Sequence, residues 1–291
     1  MAGHVSDAAR MVLFGITGQV GSRLMRTLTA AGFEVTGIDR ARCDFHVTTA
    51  KEIAPIIRAV EPALVINAAA YTGVDAAQGE QKAAQRLNAD IPEIIAQACA
   101  EQRVPFLHFS TDYVFDGAGG APYAEDALTN PLGAYAKSKL AGEKAVRVHG
   151  GHVFRLQWVF DNRGKNFFLT IKKLLAERDE VRVVADQLGS PSHALHIAQA
   201  VAIAAPRIIN GTLPADIYHL SAQGYTSWHG FACAIAAATK STAYVVPIVT
   251  SEYPTPAPRP HDARLNASKL ASYGIAMPQW REGLTQAMSN A

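Results

Sequence analysis

Tyr135 and Lys139 lie four apart in the run Tyr135-Ala136-Lys137-Ser138-Lys139, so on a helix they share one face and can meet. A phenol beside an ammonium is a usable proton donor. Free tyrosine titrates near about 10, and a neighbouring positive charge favours the phenolate and brings the group toward neutrality. In a chain with nine tyrosines the spacing also arises by chance, so it needs a second element. Ser110-Thr111-Asp112-Tyr113-Val114-Phe115-Asp116-Gly117 supplies one, since it follows an apolar strand-like run and puts hydroxyls at its carboxyl end. The Thr111 hydroxyl can bond a substrate carbonyl oxygen as a hydride arrives and negative charge develops there. The plainer alternative is that Ser110 and Thr111 cap a turn.

A hydride donor needs its own site, and Gly15-Ile16-Thr17-Gly18-Gln19-Val20-Gly21 directly follows the first apolar run and precedes a helical pattern. Glycine permits positive φ and close backbone approach, while free N–H groups and the positive helix end favour a pyrophosphate. Asp39 ends the second strand pattern, 18 residues after Gly21, where a carboxylate can accept both ribose hydroxyls of NAD. Arg40 and Arg42 follow at once, and a guanidinium there suits the extra phosphate of NADP. The residues point both ways. Asp44-Phe45 is placed to cap the adenine edge, and Asn67-Ala68-Ala69-Ala70 brings small side chains to the nicotinamide ribose; turn and packing roles are the alternative for both.

The elements that must position these groups alternate. Apolar runs at Met11 to Phe14, Glu34 to Ile38, Leu64 to Asn67, Phe106 to Ser110 and Val153 to Leu156 read as strands. Helical spacing marks Ser22 to Ala31, Lys51 to Val60, Gln81 to Gln102 and Tyr135 to Val148. Continuous apolar strands between helices predict an α/β fold with a doubly wound, mainly parallel sheet whose ligands bind at the strands' carboxyl ends. After Phe160 the alternation lapses, and Asp161 to Asn166, Leu188 to Ser192 and Tyr253 to Arg264 read as loops of a smaller lobe. A helix from His196 to Ala205 and the run Ile217 to Leu220 are expected to return to the main sheet. The domains expected are therefore 1–160 with about 193–222 for the dinucleotide, and about 161–192 with 223–291 as a sequence-discontinuous substrate lobe.

Composition narrows the field. In 291 residues, 49% are hydrophobic, 18% are charged and the net charge is +2, a globular balance without a basic stripe for nucleic acid or a membrane span. Met1 to Arg10 is small and polar, with no apolar core for a signal or anchor, so a cytoplasmic location is expected. Cys43, Cys99 and Cys233 are odd in number and lack CxxC spacing, which predicts reduced, buried, inert thiols.

Together the motifs resemble the dTDP-4-dehydrorhamnose reductase family of extended short-chain dehydrogenases. Its carriers are Gly15 to Gly21, Asn67 to Thr72 with Val74-Asp75, Ser110 to Gly117, Tyr135 to Glu143, Gly164-Lys165-Asn166-Phe167, Asp186 to Pro191, and Arg259-Pro260, across most of the chain. The resemblance implies a two-lobed Rossmann-type fold and NADPH, with NADH possible, as hydride source. It implies reduction of the C4 ketone of dTDP-4-dehydro-6-deoxy-L-mannose to dTDP-L-rhamnose. Tyr135 would then donate the proton, Lys139 tune it and hold the nicotinamide ribose, and Thr111 orient the ketone. Gly18, Gln19, Val20, Asp39, Asp44, Phe45, Ala70, Tyr71 and Thr72 would line the cofactor, joining Gly15, Gly21 and Arg40. Asp112 and Trp158 would touch the sugar, the indole as a flat wall against its apolar face.

Arg23 occupies a position where some members carry a glutamate of an interfacial metal site; arginine cannot ligate a cation, so no metal is expected. His193 and His196 are three apart without an acidic or thiol partner at clear spacing, and read as solvent-facing or satisfied. Ala136 replaces a glycine common after the tyrosine, and Asn266 an aspartate beyond Arg259-Pro260, departures that bear on substrate preference. A 4,6-dehydratase or epimerase would need an acidic residue beside Asp112, where Tyr113 stands. Reduction of another 4-keto deoxysugar nucleotide stays open. So does a partner-binding role, because the chain also resembles the NADP-binding regulatory subunit of methionine adenosyltransferase. A monomer or weak homodimer is expected.

Overall fold

The computed structural model describes residues 8–289; of the Met1 to Arg10 segment, Met1 to Asp7 lie outside the described residues. The first half runs β1 (Arg10–Phe14), α1 (Gln19–Ala30), β2 (Glu34–Ile38), α2 (Ala50–Val60), β3 (Leu64–Asn67), α3 (Gln81–Gln85), α4 (Ile91–Glu101), β4 (Phe106–Thr111), α5 (Ala134–Val148) and β5 (His152–Leu156). There follow β6 (Val159–Phe160), α6 (Phe167–Glu177), β7 (Glu180–Val184), β8 (Leu188–Gly189), β9 (Ser192–His193), α7 (Ala194–Ile209) and β10 (Ile217–His219). The chain ends with β11 (Thr226–Ser227), α8 (Trp228–Thr239), β12 (Tyr244–Ile248), α9 (Ser268–Ser272) and α10 (Trp280–Ser289).

Six strands form one parallel sheet in the order β10-β5-β4-β3-β1-β2. Its inner strands β1, β3, β4 and β5 are buried on both faces from Met11 onward, while the edge strand β2 is half-exposed. On one face Met11, Leu13, Leu64 and Ile66 pack with Leu24 and Leu28 of α1 and Val201 of α7; on the other, Val12, Phe14 and Val65 pack with Ile53 and Ile57 of α2 and Ile95 of α4. The order reverses at β1, whose neighbours are β2 and β3, so loops leaving β1 and β3 diverge and open a crevice at their carboxyl ends. The expected return of 217–220 to the main sheet is observed: Ile217, Tyr218 and His219 pair with Val153, Phe154 and Arg155.

Two regions depart from the sequence expectation. The single helix expected over Gln81 to Gln102 is broken by a π turn at Arg86–Asp90. Pro92, in the first turn of α4, has no N–H for the Asn88 carbonyl four residues back, which accounts for the widening. That carbonyl lies against α5, where a Cβ at Gly142 would fall 1.9 Å from it, so glycine allows the two helices to close. Past Phe160, order is greater than a set of loops. β7 pairs in parallel with β12, and the Leu188 to Ser192 stretch contributes β8 and β9, which pair with β11 and β6. Among the described residues, no helix is long and apolar enough to cross a membrane.

Candidate active site

The glycine turn is at the switch point. Gly15 has φ +83°, donates its N–H to Ile38 O (3.0 Å), and a Cβ there would meet Ala69 N at 2.4 Å. Gly21 is equally constrained, because its Cβ would fall 2.1 Å from Gly15 O. Gly18 heads α1, whose N-terminus has neither a side-chain cap nor an acidic residue in its first turn. A Cβ at Gly18 would meet nothing closer than 3.6 Å. Uncapped amides, a positive helix end and open space beside exposed Gly18 are what a pyrophosphate requires, so the residues fit a dinucleotide. Val20 is half-buried behind the turn.

At the adenosine end, Asp39 Oδ1 accepts from the Arg42 backbone N–H (3.1 Å), and Arg42 Nη1 donates to Gly37 O (3.2 Å). Arg40 is exposed and makes only a 3.5 Å contact with Asp44 Oδ2, so its guanidinium is available to a phosphate. Asp44 is held below the usual carboxylate range, chiefly by the His46 backbone N–H. The Phe45 ring is in the core, 8% exposed and 5.6 Å from the Phe14 ring, so its face is not open to cap an adenine. Beyond β3, Ala70 is half-buried and Thr72 exposed; Tyr71 donates its hydroxyl to Glu80 (2.9 Å).

Thr111 ends β4 and Tyr135 is in the first turn of α5, close enough for the Thr111 hydroxyl to act on the phenol. Burial pushes the Tyr135 phenol up to about 12, against the pull of Thr111. The expected drop toward neutrality is therefore not present in the protein alone. The dry setting outweighs the Thr111 hydroxyl, and the phenol is protonated at neutral pH. Lys139, 3% exposed, donates to Phe109 O (2.5 Å), and burial brings its amine down to about 8 while Glu143 opposes the fall. Glu143 is itself held by Arg155 of β5 in a buried pair at 2.8 Å. The Tyr113 ring meets Tyr135 edge-on at 6.1 Å, and Tyr135 borders a narrow cleft shared with Pro258 and Pro260.

Asp112 is 2% exposed, accepts from Thr111 Oγ1 (3.0 Å) and Gln157 Nε2 (3.1 Å), and burial raises its carboxyl to about 7. Trp158 lies two residues past Leu156, the residue paired with Thr111, so both are at neighbouring strand ends. Its φ is +42°. The flat wall expected of it is already covered: Trp228 stacks on the indole at 3.6 Å and 12°, and a Cβ at Gly189 would fall 2.5 Å from Cε2. Only 9% of Trp158 is exposed, so the aromatic surface of this lobe is a pair rather than one ring.

Several positioning residues carried no local signal. Asn88, from the π turn, donates to Ser138 Oγ (3.0 Å) and Tyr71 O (3.0 Å) and accepts from Tyr71 N (2.9 Å), tying α5 to the loop after β3. Arg259 and the Ala257 N–H both bond Asp75, so the proline-rich 253–264 segment is pinned beside the same loop. Arg23 forks onto Asp161 at 2.8 and 2.6 Å and reaches Asn162 at 2.8 Å. Gln19 accepts from Asn166 Nδ2 (2.8 Å), so the glycine turn is tied to the 161–166 loop. His193 and His196 are buried, 1% and 6% exposed, rather than solvent-facing; α10 covers them, and a carboxylate remote in sequence, Asp161, comes within 3.6 Å of His193. No three His, Cys, Asp or Glu side chains among the described residues converge as a metal set. Cys43 and Cys99 are buried free thiols, and Cys233 is half-buried, 3.5 Å from His229 Nε2.

A crevice at the switch point of a doubly wound sheet, with a hydroxyl, a phenol and an amine at the next strand end, is suited to hydride transfer at a carbonyl, and the chain has the fold of the extended short-chain dehydrogenases. The narrower assignment comes from its relatives. The RmlD substrate binding domain family matches residues 9–291. A dTDP-4-dehydrorhamnose reductase of Burkholderia thailandensis is 40% identical over 94% of this chain and 95% of its own length, and one of Escherichia coli is 37% identical over 96% and 97%. A crystal structure of a Bacillus anthracis dTDP-4-dehydrorhamnose reductase in complex with NADP superposes with TM-score 0.89 at 30% identity, covering 98% of this chain and all of that one. This chain belongs to the dTDP-4-dehydrorhamnose reductase family.

Proposed function

We propose that this protein reduces the C4 ketone of dTDP-4-dehydro-6-deoxy-L-mannose to dTDP-L-rhamnose. The observation that supports the reading is Thr111 at the carboxyl end of β4 facing Tyr135 of α5, with Lys139 of the same helix held against β4 at Phe109, beside an uncapped glycine turn that fits a dinucleotide. NADPH bound along Gly15 to Gly21 would supply the hydride. Exposed Arg40 suits its 2′-phosphate, and the Bacillus anthracis relative was solved with NADP. Gly18, Gln19, Val20, Asp39, Asp44, Phe45, Ala70, Tyr71 and Thr72 complete the cofactor lining in this reading.

Tyr135 holds the proton that the ketone oxygen needs. As C4 gains hydride, its oxygen takes the Tyr135 proton, leaving an alcohol on the sugar and a phenolate on the enzyme. Lys139 stabilises that phenolate and meets the nicotinamide ribose. Thr111 turns its one hydroxyl hydrogen from Asp112 to the oxygen as charge builds. Asp112 and the Trp158–Trp228 pair flank the sugar. The two lobes proposed are 1–160 with about 193–222, and about 161–192 with 223–291. A cytoplasmic monomer or weak homodimer without a metal completes the reading.

The test is absorbance-monitored oxidation of NADPH with dTDP-4-dehydro-6-deoxy-L-mannose. Stoichiometric turnover is expected, and Tyr135→Phe should lower kcat by about 10² to 10⁴ with NADPH binding intact. A fully active Tyr135→Phe variant refutes the role. NADPH binding without turnover would move the reading to another 4-keto deoxysugar nucleotide.

A further inference from the structure

His108 is a histidine where the fold asks for a hydrocarbon. It is wholly buried in β4, a central strand of the six-stranded sheet, between Leu107 and Phe109. An imidazole at such a place is stripped of water, and it persists only where polar neighbours answer it. Two do. His108 Nε2 accepts from Lys139 Nζ (3.4 Å) on α5, which leaves the ring proton on Nδ1, and that N–H donates to the Asn67 backbone at the end of β3. Asn67 Oδ1 in turn accepts the Ala69 N–H (3.0 Å), inside the turn that borders Gly15. A run of hydrogen bonds therefore leads across two central strands from the active-site amine, through His108, to Asn67, whose side chain holds the turn proposed to line the nicotinamide ribose.

We propose that His108 is a positioning residue for the reaction: with the Phe109 carbonyl it fixes where the Lys139 amine lies, and through Asn67 it locks that place to the cofactor-side turn. The inference rests on the proposed role of Lys139. Burial and the charge of Lys139 keep His108 neutral, so the ring is a fixed dipole rather than a proton carrier. The ionisable groups that act on the Lys139 amine are Glu143 on α5, itself held by Arg155 of β5, and His108 on β4. Of these, His108 contacts the amine directly and belongs to no other part of the proposed machinery.

The test compares His108→Leu and His108→Gln in the full chain. Leucine suits the apolar surroundings but offers the amine nothing, so Lys139 should lose its proton more readily in a drier pocket. Relative to the wild type, His108→Leu is expected to lower kcat about 10- to 100-fold, with KM for the sugar nucleotide within about twofold. The alkaline limb of the kcat profile should move down by about one pH unit. NADPH affinity, read by quenching of intrinsic fluorescence, should decline with rising pH about one unit earlier as well. Glutamine, whose amide reaches Nζ, should restore most of both. The NADPH titration needs no sugar substrate, so it reads the position of Lys139 even if the natural sugar nucleotide is a different one. Should His108→Leu not fold, His108→Asn, too short to reach Nζ, is expected to show the same shifts. Unchanged pH limbs in turnover and in NADPH binding would overturn the proposal, as would a loss of kcat that follows thermal stability alone.

Discussion

Replacing Asp112 by asparagine gives a stability effect whose size and sign follow from the site. Burial raises this carboxyl from its ordinary 3.8 to about 7, against hydrogen bonds from Thr111 and Gln157 that favour the ionised form. The folded protein therefore holds a proton that the unfolded chain releases near pH 4. Below that pH both states are protonated and the site costs nothing. As pH rises from about 4 to about 7 the unfolded state gains by ionising, and stability falls until the folded-state carboxyl ionises too. At 1.36 kcal/mol per unit, a shift of roughly three units corresponds to a loss on the order of 4 kcal/mol, undiscounted because Asp112 is only 2% exposed. Asp112→Asn carries no such charge. Its stability relative to wild type, measured by urea unfolding at pH 4 and pH 8, should rise by about that amount between the two. Loss of an acceptor for either Thr111 or Gln157 adds a pH-independent penalty of about 1 kcal/mol, which cancels in the comparison. A difference that stays flat within about 1 kcal/mol would refute the reasoning, because a carboxyl ionised throughout gives no slope.

Two further perturbations address recognition. Asp39→Ala should weaken NADH more than NADPH, because the lost carboxylate accepts from a free ribose diol and repels a phosphate; equal losses in fluorescence titrations would reduce Asp39 to its bond with the Arg42 amide. Gly189→Ala should raise KM for the sugar nucleotide about tenfold or more, since the added methyl would lie 2.5 Å from Trp158 Cε2 and must displace the indole from Trp228. KM for NADPH should stay within about twofold; a sugar KM equal to wild type would show that the stack is not part of the site.

What the sequence determined by itself was whatever depends on near neighbours or on a period. Five strands read as buried parallel elements because each is a short apolar run between helices, and all five lie in the central sheet within a residue of the expected bounds. Gly15 to Gly21 and the Tyr135–Lys139 pair were equally legible, since a tight turn and a helical face are local geometry. The tertiary structure decided what depends on residues far apart. Nothing near Trp158 announces that Trp228, 70 positions on, covers its face, nor does anything near Arg23 point to Asp161. His193 reads as solvent-facing or satisfied, and only α10 closing over it decides that it is buried. The single helix expected over Gln81 to Gln102 took no account of Pro92, and only packing against Gly142 shows how closely the widened turn meets α5. Ionisation belongs to the same class. The Tyr135–Lys139 spacing predicts attraction between a phenolate and an ammonium, yet the depth of burial, a property of the whole fold, sends the phenol up and the amine down.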